Sequence, residues 1–239
     1  MKLICFPHAG GFSAYYKFLV NAPPEHMDEV LLFDYPRYSA DGAATNFDDY
    51  IRSAVEFVRS ADVKAGEYVI FGHSMGGFVA CEAAQILQNA HELPPCGTII
   101  SGQNPPYSIC IGNKWRCPTN ERGFLEQMGG LPEYITKDSR AYRFFLNYIR
   151  FDMELLQTYQ PRIPEPSDRL DRGMVICGKD DLIIQRQYLK YWDRTFKNVD
   201  AIHAVNGKHF YFDESMDTFM QLINHFISDA AASVSLVKE

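Results

Sequence analysis

Residues 68–84 read Tyr68-Val69-Ile70-Phe71-Gly72-His73-Ser74-Met75-Gly76-Gly77-Phe78-Val79-Ala80-Cys81-Glu82-Ala83-Ala84. Four apolar residues suited to a buried strand run into a G-x-S-x-G turn, and a small-residue helix follows. In such a nucleophile elbow the serine takes a strained backbone conformation between strand and helix, which exposes its hydroxyl above the helix N-terminus. Side chains at positions 72 and 76 would collide with the neighbouring strand and helix, so both are glycine, and Gly77 keeps the approach open.

A chain of 239 residues with 46% hydrophobic content accommodates one α/β domain, residues 1–239, with a sizeable core. The net charge is −7, and no basic cluster of the kind that neutralises phosphates occurs, which argues against a nucleic-acid partner. Met1 to Phe6 is interrupted by Pro7 and His8, so a signal peptide is not expected, and no later run is long enough to span a bilayer. A cytoplasmic protein without a membrane partner is the expectation. Cys5, Cys81, Cys96, Cys110, Cys117 and Cys177 form no C-x-x-C pair, so they are expected to be free thiols, mostly buried, with no metal bound.

On either side of the elbow the pattern alternates between strand and helix. Leu3 to Phe6 is a short strand, followed by the glycine pair Gly10-Gly11 and an aromatic cluster, Phe12, Tyr15, Tyr16 and Phe18, on a helix. Val30 to Phe33 reads as a second buried strand. Phe47, Ile51, Ala54, Val55 and Val58 recur at helical spacing behind Asn46, a candidate N-cap. Thr98 to Ile100 is the next strand, between Pro94-Pro95 and Pro105-Pro106. Residues 103–166 break the alternation: Phe124, Leu125 and Met128 mark one helix, and Ser139 to Tyr159 a second with apolar residues at three- and four-residue intervals, so an inserted helical lid is predicted. Alternation then resumes with strand Met174 to Cys177, a helix from about Gln185 to Phe196, strand Ala201 to Val205 and helix Ser215 to Ile227, with a tail from Ala230 onward expected to fray. The alternation predicts a mostly parallel central sheet with helices on both faces and catalytic groups at the carboxyl ends of its strands.

A serine hydroxyl needs a base oriented by a carboxylate, and the elbow fold orders them as serine, acid, histidine. Among seven histidines, His209 follows the last strand in a loop, whereas His225 falls in the closing helix, His203 in a strand, and His73 points away from the nucleophile. After strand Met174 to Cys177 stand Asp180 and Asp181, which chemistry alone does not separate; the one not used reads as a helix N-cap or a solvated charge. The tetrahedral intermediate needs N–H donors, each worth roughly 2.7 to 4 kcal/mol. Met75, after the nucleophile, supplies one; Ala9 or Gly10, in the loop after the first strand, supplies the other.

With these residues in place the chain resembles the stand-alone type II thioesterases of polyketide and nonribosomal peptide assembly lines, which have the α/β-hydrolase fold. The resemblance rests on five motifs in order: Phe6-Pro7-His8-Ala9-Gly10-Gly11, Gly72-His73-Ser74-Met75-Gly76-Gly77, Arg150-Phe151-Asp152, Gly178-Lys179-Asp180-Asp181 and Gly207-Lys208-His209-Phe210. It implies Asp181 as the acid, fourth in its G-x-x-D turn, and Ala9 as the second oxyanion donor. The chain departs from the family in having Tyr35-Pro36-Arg37 without the usual glycine, and Asn147 where a proline is usual. The resemblance implies hydrolysis of acyl thioesters from the phosphopantetheine arm of acyl or peptidyl carrier domains. The chemistry of the three residues agrees: an acyl-serine forms and is hydrolysed with no cofactor needed, and a monomer is expected. Aromatic lid residues, Phe12 and Phe78 are candidates for lining the acyl pocket. An esterase or lipase-like hydrolase acting on oxygen esters or acyl-CoA is the alternative, and a non-hydrolytic binding subunit a more distant one.

Overall fold

A computed structural model of the chain describes residues 1–37, 43–113, 121–129 and 139–237. Strands β1 (Lys2–Phe6), β2 (Glu29–Leu32), β3 (Tyr68–His73), β4 (Gly97–Ser101), β5 (Leu170–Gly178) and β6 (Phe196–Val205) form one sheet in the order β2-β1-β3-β4-β5-β6. Every pairing among the described residues is parallel. The chain steps from β1 outward to β2 and then returns to the other side of β1 with β3. Strand order therefore reverses between β1 and β3, and the crevice beyond their carboxyl ends is where such sheets bind ligands.

Period-two alternation divides the strands between two cores. Ile4, Phe6, Ile70, Ile100 and Val175 face α2 (Phe47–Ser60) and α3 (Met75–Asn89), whereas Leu3, Cys5, Val69, Phe71, Ile99 and Ile176 face α1 (Lys17–Asn21) and α7 (Phe212–Val237). Each fully buried Val, Leu, Ile or Phe contributes about 1.5 to 3 kcal/mol. Helix α2 starts as its sequence predicts: Asn46 accepts from the Asp49 N–H, and the Asp49 carboxylate reaches back to the Asn46 N–H in a capping box.

Several expectations need correcting. The second strand is a half-buried edge strand, because only β1 pairs with it. The helix expected from about Gln185 to Phe196 is present as a 3-10 helix, Arg186–Arg194, with Trp192 buried. Strand β6 begins at Phe196, five residues earlier than its apolar run suggests; Lys197, Asn198 and Asp200 sit on this edge, the register shifts at Gly173/Met174, and Arg172 Nε donates to Asp200 Oδ2 at 2.5 Å. The closing helix runs to Val237 without fraying at Ala230, whose side chain is buried, and is kinked at Ser215.

Between β4 and β5 the described residues form α4 (Tyr107–Cys110), α5 (Glu121–Met128) and α6 (Ser139–Leu156) and no strand. Residues 114–120 and 130–138 of the predicted lid, Cys117 among them, lie outside the described residues. The other five cysteines are free, three of them buried. No helix among the described residues is long and apolar enough to cross a membrane.

Candidate active site

Ser74 ends β3 and begins α3 with φ 56° and ψ −123°, a conformation costing a non-glycine residue on the order of 1 to 3 kcal/mol. The surroundings hold it there. Its N–H donates to the Ser101 carbonyl at 2.8 Å, and its own carbonyl accepts from the Gly77 N–H at 2.8 Å and from Gln103 Nε2 at 3.0 Å. The flanking glycines are required by contact: a Cβ at Gly72 would lie 2.1 Å from the Gly76 carbonyl oxygen, and one at Gly76 2.1 Å from that of Phe6. Met75 and Gly76 occupy the first turn of α3, where amides lack intrahelical acceptors.

The structure separates the two aspartates. Asp181 is buried, accepts from the Ile183 N–H at 2.9 Å, and faces His209 Nδ1 at 2.8 Å, whereas Asp180 is exposed. Because a carboxylate only accepts, Nδ1 carries the proton and His209 Nε2 is free to act as a base. Gln103 and Asn104, just after β4, tie this acid loop to the elbow. Gln103 Nε2 holds the Ser74 carbonyl, while Asn104 donates to the Ile183 carbonyl and accepts from the Gln185 N–H.

Three histidine rings meet here. His73 lies 4.8 Å from His209 and 6.0 Å from His8, measured between ring centroids. Burial, reinforced by His209 and Arg37, lowers the His8 pKa to about 3; burial, reinforced by His209 and His8, holds His73 well below the usual histidine value. Both rings are neutral near pH 7. Among the three, His209 alone faces a carboxylate. His73 does point away from the nucleophile, toward Ser101 Oγ at 2.8 Å. No hydrogen bond among the described residues engages Ser74 Oγ.

On the other side of the crevice, the loop after β1 is held almost atom by atom. The Gly10 N–H donates to Asp152 Oδ2 at 2.7 Å and the Gly11 N–H to the His8 carbonyl at 2.9 Å, whereas the Ala9 N–H has no partner among the described residues. Asp152, on α6, is fully buried and also accepts from Tyr50 Oη at 2.6 Å and from both Nε and Nη2 of Arg37. Arg37 Nη2 reaches on to the Gly11 carbonyl at 2.9 Å, and Tyr35 Oη donates to the Pro7 carbonyl at 2.9 Å. Burial disfavours the Arg37 charge, but its hydrogen bonds and ion pair with Asp152 outweigh that and raise its pKa.

Residues 1–229 match the family model of the thioesterase domain. The chain belongs to the thioesterase family. Thioesterase PikA5 of Streptomyces venezuelae is 27% identical over 220 residues, covering 90% of this chain and 76% of PikA5. Phenyloxazoline synthase MbtB of Mycobacterium tuberculosis is 23% identical over 228 residues, but this thioesterase-family chain spans only 16% of it. Among solved structures, the type II thioesterase BorB from the borrelidin biosynthetic cluster superimposes with a TM-score of 0.75 at 24% identity, covering 94% of this chain and 91% of BorB. The resemblance drawn from the motifs therefore holds for family and fold.

Asp152 and Arg37 entered the sequence reading only as parts of motifs, and Gln103, Asn104 and Tyr50 did not enter it at all. A signal for Asp152 was present. It lies three residues after Ile149 and four before Leu156, on the apolar stripe of α6, where an unpaired carboxylate would be costly. Of the suggested pocket-lining residues, Phe78 is core, packed on Tyr159, and Phe12 is partly exposed against Tyr148.

Proposed function

We propose that this thioesterase-family chain is a type II editing enzyme that hydrolyses acyl thioesters from the phosphopantetheine arm of carrier domains. Ser74 Oγ attacks the thioester carbonyl while His209 Nε2 takes its proton and Asp181 steadies the resulting imidazolium. The C–S bond breaks, His209 returns the proton to the departing thiol, and water deprotonated by His209 then cleaves the acyl-serine. The observation that carries this reading is the 2.8 Å His209–Asp181 contact beside a serine held at positive φ.

The N–H groups of Ala9 and Met75 serve as the oxyanion hole. In support, Gly10 and Gly11 have already committed theirs, while Ala9 has not. The insertion between β4 and β5 acts as the lid and substrate cover, supported by the contact of α6 with the loop after β1. Side chains and backbone serve every step, so no cofactor or metal is assigned; the chain works as a monomer in the cytoplasm on its carrier partners. Support for the carrier as substrate comes from PikA5, a thioesterase, and from BorB, a type II thioesterase of a biosynthetic cluster.

The test is a parallel assay of one acyl group on a carrier protein, on CoA and as a nitrophenyl ester. The reading expects the carrier-bound thioester to have the highest kcat/KM. Equal or better turnover of the oxygen ester would favour a general esterase instead.

A further inference from the structure

The insertion does more at this site than cover it. Gly10 sits at φ 74°, and a Cβ there would lie 2.2 Å from Ile149 Cγ1, so α6 presses directly on the loop after β1. One turn further along α6, Asp152 accepts the Gly10 N–H at 2.7 Å across 142 residues of sequence. The same carboxylate is gripped by Arg37 and Tyr50, and Arg37 closes the circuit through the Gly11 carbonyl.

The Gly10 amide follows directly on Ala9, whose N–H is uncommitted. The Ala9 N–H shares its rigid peptide plane with the His8 carbonyl, which the Gly11 N–H holds at 2.9 Å, and the next plane is pinned at the Gly10 N–H by Asp152, so these two anchors together set the direction of the Ala9 N–H. Building a buried ion pair of this kind has a desolvation cost that attraction alone does not return. A simple hydrophobic anchor would hold α6 to the core with less difficulty, but it would not orient an amide.

We infer that Asp152 is a positioning residue for catalysis: with Arg37 and Tyr50 it forms a brace by which the inserted helix α6 sets the orientation of the oxyanion-binding loop. This inference rests on the reading of Ser74 as nucleophile and Ala9 as oxyanion donor. Asp152 touches no reacting atom; it acts through the Gly10 peptide. The brace also makes the transition-state site dependent on the position of the inserted helix, whose Met153, Leu155 and Leu156 pack into the core.

The test compares parent, Asp152→Asn, Tyr50→Phe and Ser74→Ala on acyl-N-acetylcysteamine thioesters, with a trifluoromethyl ketone of the matching acyl chain as mimic of the tetrahedral intermediate. For folded Asp152→Asn, kcat should fall about 10- to 100-fold, short of the roughly 10²- to 10³-fold loss of an oxyanion donor outright. KM should stay within about threefold, and affinity for the ketone should fall by the same factor as kcat/KM. Parent-like kcat, a loss confined to KM, or unchanged ketone affinity would each overturn the brace, because a purely structural role leaves correctly folded molecules with parental constants.

Where Asp152→Asn does not fold, Tyr50→Phe decides: about three- to tenfold lower kcat with matching loss of ketone affinity is expected, and parental values overturn the proposal. The Ser74→Ala arm separates the two levels. Retained turnover there removes the nucleophile reading, whereas an inactive Ser74→Ala beside a parental Asp152→Asn removes the brace alone.

Discussion

On one side of Ser74, Asp181 and His209 hang from short loops directly after β5 and β6; on the other, the loop carrying Ala9 is held from a distance by Asp152 on the inserted helix. The first side is assembled by the sheet. Once β5 and β6 pair in register, Gly178 lies beside Val205 and the acid and base loops start together. Sheet pairing does not hold the second side in the same way. Its loop needs two residues from outside β1, Arg37 after β2 and Asp152 within the insertion, and both are buried with opposite charges. The same site thus combines a half held by neighbouring strands of the sheet and a half held by contacts with the inserted helix.

Both halves face Ser74, the proposed nucleophile, so the largest effect is expected there. Ser74→Ala should lower thioester turnover by on the order of 10⁴-fold or more, read as thiol release. Next comes the sheet-assembled half: Asp181→Asn should lower kcat by about 10²- to 10⁴-fold because the His209 tautomer is no longer fixed. Exposed Asp180→Asn should stay within about twofold of the parent, and the reverse ranking would reassign the acid.

The docked half has its own test in stability. Arg37→Met should destabilise the chain by about 3 to 5 kcal/mol in urea unfolding, since it strands a buried carboxylate. The same substitution at Arg59, whose pair with Glu92 is exposed, should cost no more than about 1 kcal/mol. Equal effects would show that the Arg37–Asp152 pair is not the anchor the geometry indicates.

A smaller effect should follow pH. His8 and His73 have folded pKa values below the unfolded value near 6.5, so below that pH the unfolded chain binds more protons than the folded one. Their contribution is complete above pH 6.5 and is lost as pH falls toward about 3 for His8, each histidine contributing at most about 1.4 kcal/mol per pH unit. Unfolding midpoints measured at pH 7, 6 and 5 should therefore decrease, and His8→Gln should flatten that dependence.

The same contrast explains how far the sequence could be read. The elbow, the order Ser74, Asp181, His209, the Asn46 cap and the strand alternation are local patterns, with the physics contained in a few neighbouring residues. The first five residues of β6 carry Lys197 and Asp200 on an exposed edge, and an apolar pattern does not detect them. Asp181 and Asp180 stand in the same turn and look alike in sequence; only the fold shows that Asp181 is buried against His209 while Asp180 is exposed. Asp152 was harder still. Its partners Gly10, Arg37 and Tyr50 are more than a hundred residues away in sequence, and no spacing rule joins them. A carboxylate on an apolar helical stripe was the one local sign that a buried partner existed.

In the proposed mechanism Ser74 carries the acyl group between carrier and water. Intact-mass and peptide mass analysis of the protein mixed with an acyl-loaded carrier protein and quenched within a turnover tests it directly. Unloaded carrier together with an acyl mass increment on the peptide containing Ser74 is expected, both absent with Ser74→Ala; carrier unloaded at the parental rate by Ser74→Ala would contradict this mechanism.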